Sequence, residues 1–289
     1  MVSVLFDGLA YGMLLFLMAV GLSITMGLMN FVNLAHGVFA MVGGYVAILA
    51  MNGAGLGFGV ALLLAFAAAA AAGAIMEILF FRRLFTAHAL DQVLVTVGVV
   101  FVAVAVATYF FGPTMQLFQP PEYLEGRWRL AGFEVPRYRL FLIVAGLLVL
   151  GGLGLILNRT RLGAMVRATV DNRRVAQGTG IDVQRLFFLV FSFACGIAGL
   201  GGALSLGMLS LEPSYPLKYM VEFLIVVSVG GAGTIIGPFV AALMVGLVDV
   251  AGKYYLPETG TFLVYVVMIV GLLLRPYGLV PRPGLVVWR

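Results

Sequence analysis

The sequence predicts an all-α, polytopic membrane bundle of eight or nine spans with broken or re-entrant segments. Two compositional facts and one pattern carry that prediction. Of 289 residues, 63% are hydrophobic and 10% are charged, against roughly half and a quarter in soluble domains. The apolar residues fall into runs near the ~20 residues needed to cross a hydrocarbon core. Two of these runs are interrupted by glycines and amides rather than by charge.

Taken in order, the runs are 4–29, 31–51, 55–81, 89–112, 140–157, 186–210, 219–230 with 234–252, and 261–275. The first begins "MVSVLFDGLAYG"; Asp7 stands where a signal peptide would be basic and no small-residue cleavage site follows, so it reads as a span. Cys195, the single cysteine, lies inside a run and reads as a small packing residue. "GGAGTIIGP", Gly230 to Pro238, parts the seventh run, because several glycines and a proline disfavour continuous helix. Gly8/Gly12, Gly55/Gly59 and Gly233/Gly237 have the spacing that lets helix backbones approach. The longest polar segments, 113–139 and 158–185, are too short for a separate soluble domain, so residues 1–289 read as one transmembrane domain.

Arginine placement gives orientation, since short cytoplasmic loops are enriched in basic residues. Arg82 and Arg83, the six arginines of 158–185, and Arg275, Arg282 and Arg289 make 11 of 17 basic residues, and alternating spans put all three groups on one side. That side reads as cytoplasmic. The net charge of +5 reflects this bias rather than a nucleic-acid partner.

In 158–185, Leu162, Met165, Val166, Thr169 and Val170 recur at helical spacing, and Arg167, Asp171 and Arg174 form a second stripe. One amphipathic helix is expected, ended by Gly178 and Gly180. Its alternatives are a solvated or lipid-contacting surface and a docking element for a cytoplasmic partner.

The stretch "MGLMNFVNLAHGVFAMVGGY", Met26 to Tyr45, sets Asn30, Asn33 and His36 in an apolar run. Amides and an imidazole in hydrocarbon are costly unless they bond within the bundle or face a water-filled cavity. If the segment is helical, their i, i+3 spacing puts all three on one face, with Gly37, Gly43 and Gly44 loosening the helix beyond. Together with Gly231 and Gly233 in the second interruption, Asn30, Asn33, His36 and Gly37 are the expected border of a translocation pathway, since paired Gly-rich interruptions mark transporter midplane sites.

"GLVDVAGK" has the wrong glycine spacing for a phosphate-binding loop, and "GAGTIIG" follows no soluble βαβ pattern. No cofactor, metal set or catalytic constellation is apparent, so an intramembrane enzyme is disfavoured. His88 reads as a surface residue. Glu77, Asp91, Glu222 and Asp249 are carboxylates near or within spans, the last two the expected buried ones. A passive channel would fit the composition but does not need the amphipathic cytoplasmic segment, and essential carboxylates would favour a proton-coupled carrier.

"NLAHGVFAMVGGYVA", from Asn33, resembles the first signature of the LivH-type permeases of branched-chain amino acid ABC importers. Arg167-Ala168, Asn172, Ala176, Gly180-Ile181 and Arg185, then Phe191, Gly196, Ala198 and Gly199, are similar to the second, and "VGGAGTIIGP" to the third. Leu34 stands where relatives usually have Phe, and Ala241 where Gly is common. The resemblance implies an inner-membrane permease paired with a homologous permease or a second copy, two cytoplasmic ATPase subunits and a periplasmic solute-binding protein. It assigns ATPase coupling to Arg167, Asp171, Asn172, Arg174, Gly180 and Arg185, and contact with the binding protein to 113–139 and Leu211 to Lys218. Related permeases carry branched-chain amino acids, urea, short amides or other small solutes.

Overall fold

The structure, a computed structural model, describes residues 2–85, 87–130 and 133–280. It is helical almost throughout. The helices are α1 (Val2–Met29), α2 (His36–Ile48), α3 (Phe58–Met76), α4 (Ala89–Phe111), α5 (Arg137–Arg159), α6 (Arg161–Asp171), α7 (Arg173–Gly178), α8 (Val183–Ser205), α9 (Tyr215–Gly230), α10 (Ile236–Tyr255) and α11 (Gly260–Leu274). Two π-helical turns extend α2 through Gly53 and α3 through Phe81. An antiparallel hairpin, β1 (Arg127–Leu130) with β2 (Phe133–Pro136), is the one sheet among the described residues.

Seven helices are long and apolar enough to cross a membrane, α11 is a shorter apolar helix, and α9 is a 16-residue helix carrying Lys218 and Glu222, roughly in keeping with the expected eight or nine spans. The centre is α1, buried along most of its length. A helix buried all round must be apolar all round, and residues 8–29 satisfy this apart from Tyr11, Ser23 and Thr25. Gly8 and Gly12 face Leu247 and Leu243 of α10, where an added Cβ would come within 2.9 Å of backbone, so the two helices run antiparallel in close contact. The expected Gly8/Gly12 packing role holds. Gly55 and Gly59 instead meet nothing within 4 Å in this chain, and of the third pair Gly233 lies outside a helix while Gly237 packs on Gly230.

On the other flank of α1, glycines seat α2 against α8. A Cβ on Gly43 would run into the Gly199 backbone, and one on Gly202 into that of Ala40. The glycines of α2 therefore serve close approach rather than loosening, and α2 is regular from His36 to Ile48. Cys195 is buried against Gly73 of α3, consistent with a packing role.

The basic segments gather at one end. Arg82 pairs with Glu77 at 3.0 Å, and Gln184 of α8, its amide oriented as its partners require, accepts from Arg82 Nε and Nη1 at 3.2 and 3.1 Å. This joins the ends of α3 and α8, as the arginine count expected. Glu77 corrects the expectation for carboxylates: it is fully buried. Its π turn lets residues five apart face one another, which regular α-helix does not. Asp91 and His88 are exposed. Arg282 and Arg289 lie outside the described residues.

At the opposite end, Asp7 pairs with Arg139, and Gln116 N–H donates to Leu211 O at 2.9 Å. Arg127 pairs with Glu134, and Arg137 lies over the Trp128 ring. Arginines are answered locally at both ends, since Arg185 pairs with Asp182 and Arg173 lies over the Phe187 ring.

Candidate translocation and coupling sites

The first interruption, residues 30–35, is not helical. Asn30 adopts φ +52° and ends α1, a conformation that asparagine tolerates better than most residues. The expected polar stripe on one helix face is therefore corrected: His36 alone of the three is helical. Asn33 Oδ1 accepts from Ala35 N–H at 3.0 Å, turning the chain into α2.

The freed backbone groups are satisfied from α4. Gln92 Oε1 accepts from Val32 N–H at 3.0 Å, and its Nε2 donates to Leu84 O at 3.0 Å and Ala87 O at 3.2 Å. Thr96 Oγ1 accepts from Leu34 N–H at 3.4 Å. Gln92 therefore ties the interruption to the α3–α4 turn. The sequence reading missed both residues; the available signal was a buried-type amide and hydroxyl spaced i, i+4 near the start of an apolar span.

Asn33 is 0% and His36 1% exposed. Asn33 Nδ2 and both His36 ring nitrogens have no hydrogen bond of ordinary geometry, although the Met18 carbonyl lies within electrostatic reach of the ring. Buried polar atoms are almost always paired, so this pair stands out. The His36 ring abuts α1 and α8: a Cβ on Gly21 would lie 3.0 Å from Nε2 and 2.6 Å from Ala194 O. Gly37 packs on Pro216 at the start of α9.

The second interruption is a turn between α9 and α10, with φ +96° at Gly231 and +85° at Gly233, values that glycine supplies without strain. Gly233 N–H donates to Ser23 O at 2.9 Å, and Ser23 Oγ donates to Thr234 O at 3.0 Å. Leu279 N–H donates to Val229 O, so the chain after α11 returns to this turn. The expected break is present. Gly21 and Ser23 are two residues apart and so point about 200° apart around α1. His36 and Gly233 thus flank the same turn of α1 from opposite faces.

A third polar group was anticipated only in part. Tyr11 hydroxyl donates to Glu222, joining α1 to α9, and Lys253 Nζ, which donates to Asp249 on its own helix α10 at 2.7 Å, lies over the Tyr11 ring. Asp249 is buried, as expected; Glu222 is half-buried. Two carboxylates against one ammonium leave this cluster a net acceptor of positive charge.

The 158–185 segment is two helices rather than one. Asn172 leaves helical geometry at φ −154° and caps α7, its Oδ1 accepting from Arg174 and Val175 N–H. Asparagine competes for backbone donors in this way, and the competition breaks the helix. Arg174 therefore falls off the stripe of Arg167 and Asp171. Arg167 donates to the Leu157 carbonyl, Asp171 and Arg174 are exposed, Gly180 takes φ +89°, and Arg185 pairs with Asp182 at 2.9 Å. Val166 and Thr169 are buried against the bundle, so the apolar face of α6 is as expected.

A family model described as the permease component of the branched-chain amino acid transport system matches residues 4–272. The chain belongs to this family. It is similar to a probable branched-chain amino acid transport permease, LivH, of Methanocaldococcus jannaschii, with 30% identity over 96% of this chain and 91% of the relative. It is also similar to the high-affinity branched-chain amino acid permeases BraD of Pseudomonas aeruginosa (26%) and LivH of Escherichia coli K12 (24%), each over 96% of this chain and 95% of the relative. No solved structure matches. The chain is a permease subunit and a multi-pass protein of the bacterial inner membrane. Its signature around Asn33 builds the first interruption, and its second signature builds α6, α7 and the start of α8.

Proposed function

We propose that this permease works in an ATP-driven importer and moves a small zwitterionic solute, a branched-chain or related amino acid, inward across the membrane. Separate ATPase subunits hydrolyse ATP, a second permease or second copy completes the pathway, and a periplasmic binding protein delivers solute to the end bearing 113–139 and Leu211 to Lys218. The observation that carries the reading is that the buried Asn33 Nδ2 and both His36 ring nitrogens have no hydrogen bond of ordinary geometry among the described residues, at a helix interruption tied to α4 by Gln92 and Thr96. Neutral imidazole and amide each donate and accept, which suits a zwitterion or an amide better than a strongly charged ion. Arg167, Asp171, Asn172, Arg174, Gly180 and Arg185 form or flank the α6–α7 surface on which the ATPase would act.

Reconstitution with candidate ATPases and binding proteins tests this, with solute-stimulated ATP hydrolysis as the readout. Stimulation by leucine, isoleucine or valine is expected; stimulation by urea or short amides alone would move the solute class. The Tyr11–Glu222 and Lys253–Asp249 cluster favours a second reading, a proton-coupled carrier. Uptake that persists without ATP but collapses with the proton gradient would install that reading instead.

A further inference from the structure

At the arginine-rich end, a cleft of about 540 Å³ opens between α1, α5, α6 and α8. Its walls include Ile24, Leu153, Ile156, Val166 and Phe193, and among the described residues its polar side chains are Thr160 and Arg161. Leu155, Leu162, Leu189 and Phe193 are exposed around it, so the cleft continues the apolar surface that the bundle offers to the bilayer. Thr160 makes the corner between α5 and α6: its hydroxyl donates to Ile156 O at 2.6 Å and accepts from Gly163 N–H at 3.2 Å. Arg159 and Arg161 flank that corner. Both are exposed, and neither has an ion-pair partner among the described residues. Arg167, also exposed, instead donates to the Leu157 carbonyl.

An apolar slot that ends in two unpaired cations, at the level where helices leave the hydrocarbon, has the chemistry of one class of occupant. An irregular protein segment placed there would need partners for its backbone, which the slot does not offer, and an apolar helix, though self-satisfied, would leave both arginines unpaired. A zwitterionic lipid would bring a cation of its own to the arginines. We infer that the cleft holds an anionic phospholipid of the cytoplasmic leaflet, one acyl chain between α5 and α8 and the phosphodiester on Arg159 and Arg161. The chain then braces α6 from beneath, so the angle at which α6 meets its cytoplasmic partner depends on lipid charge. This site is independent of the identity of the transported solute.

The test uses the membrane assembly that copurifies with the chain, exchanged into nanodiscs of mixed phosphatidylglycerol and phosphatidylcholine. Native mass spectrometry reads retained lipid, and photoreactive phosphatidylglycerol maps its position. The expected result is at least tenfold preferential retention of phosphatidylglycerol, with cross-links in α5 and α8. Arg159→Gln with Arg161→Gln should cut retention about thirtyfold, as expected for loss of two cations at a membrane surface. Leu189→Trp, which fills the slot and keeps the cations, should abolish the cross-links. Equal retention of phosphatidylcholine, unchanged retention in the double variant, or cross-links from the slot to another protein segment would each overturn the site.

Discussion

Replacing Gln92 with leucine removes three hydrogen bonds at one stroke while nearly preserving side-chain volume. Val32 N–H and Ala87 O lose their side-chain partner, while Leu84 O keeps only the Ala87 N–H at 3.0 Å. Hydrogen bonds in membrane proteins average about 0.6 kcal/mol when alternatives exist, and a group left buried without one costs about 1–3 kcal/mol. Three part-buried bonds therefore put the local loss at roughly 2–3 kcal/mol, an increase of about 30- to 150-fold in opening of the 30–35 segment. Hydrogen-exchange mass spectrometry on the purified assembly reads this directly: peptides covering 30–35 and 84–88 should lose protection, while those of α8 should not. Unchanged exchange at 30–35 would show that Gln92 does not hold the interruption. An equal rise across α8 would show that its effect is global, and would equally refute a local clamp.

With Cys195 first replaced by alanine, cysteines at Thr160 and Arg289 should resist a membrane-impermeant thiol reagent in intact cells; labelling from outside would invert the topology. Arg167→Glu should break the bond to the Leu157 carbonyl and, like Arg174→Glu, lower ATPase association or solute-coupled hydrolysis by a few kcal/mol equivalents at most, with membrane insertion intact. Normal transport by both would leave the α6–α7 surface as a solvated face. Asn33→Leu and His36→Phe should reduce uptake per assembled complex about tenfold or more; if uptake falls only in step with the amount of complex, these residues serve the fold rather than the pathway. Glu212, outside the spans, is held below the ordinary carboxylate range chiefly by its hydrogen bond from Lys218. A depressed folded-state pKa contributes stability above the unfolded value and loses it as pH falls through the folded value. Protection of 211–218 should accordingly decline on acidification below the ordinary carboxylate value of about 4.5, and Glu212→Gln should remove that dependence.

The spans were legible because bilayer insertion depends on summed apolarity over a long window, which sequence carries redundantly. Both interruptions were legible for a related reason: glycines, amides and a proline oppose continuous helix wherever they sit. What fills an interruption was not. Gln92 and Thr96 are some sixty residues from the backbone groups they satisfy, so no local pattern announces them. Asn33 has the spacing of a helical stripe but closes a turn, because spacing assumes the helix it is used to infer. Asn172 split the cytoplasmic helix for the same reason, a short amide preferring to cap. Glu77 was misplaced because its partner comes within reach only through a π turn, a local defect that composition does not encode.

The glycine contacts on α2 and α8 limit how this permease can move. Where Gly43 rides on Gly199 and Gly202 on Ala40, two backbones touch without intervening side chains. Rotamer changes cannot absorb a slide there, so any relative shift collides main chain with main chain. Helices α2 and α8, with α3 seated on α8 through Gly199 and Cys195, behave as a single stator. In the proposed importer, relative motion then falls to α4, which is largely exposed and is pinned to the bundle near its start by Gln92 and Thr96.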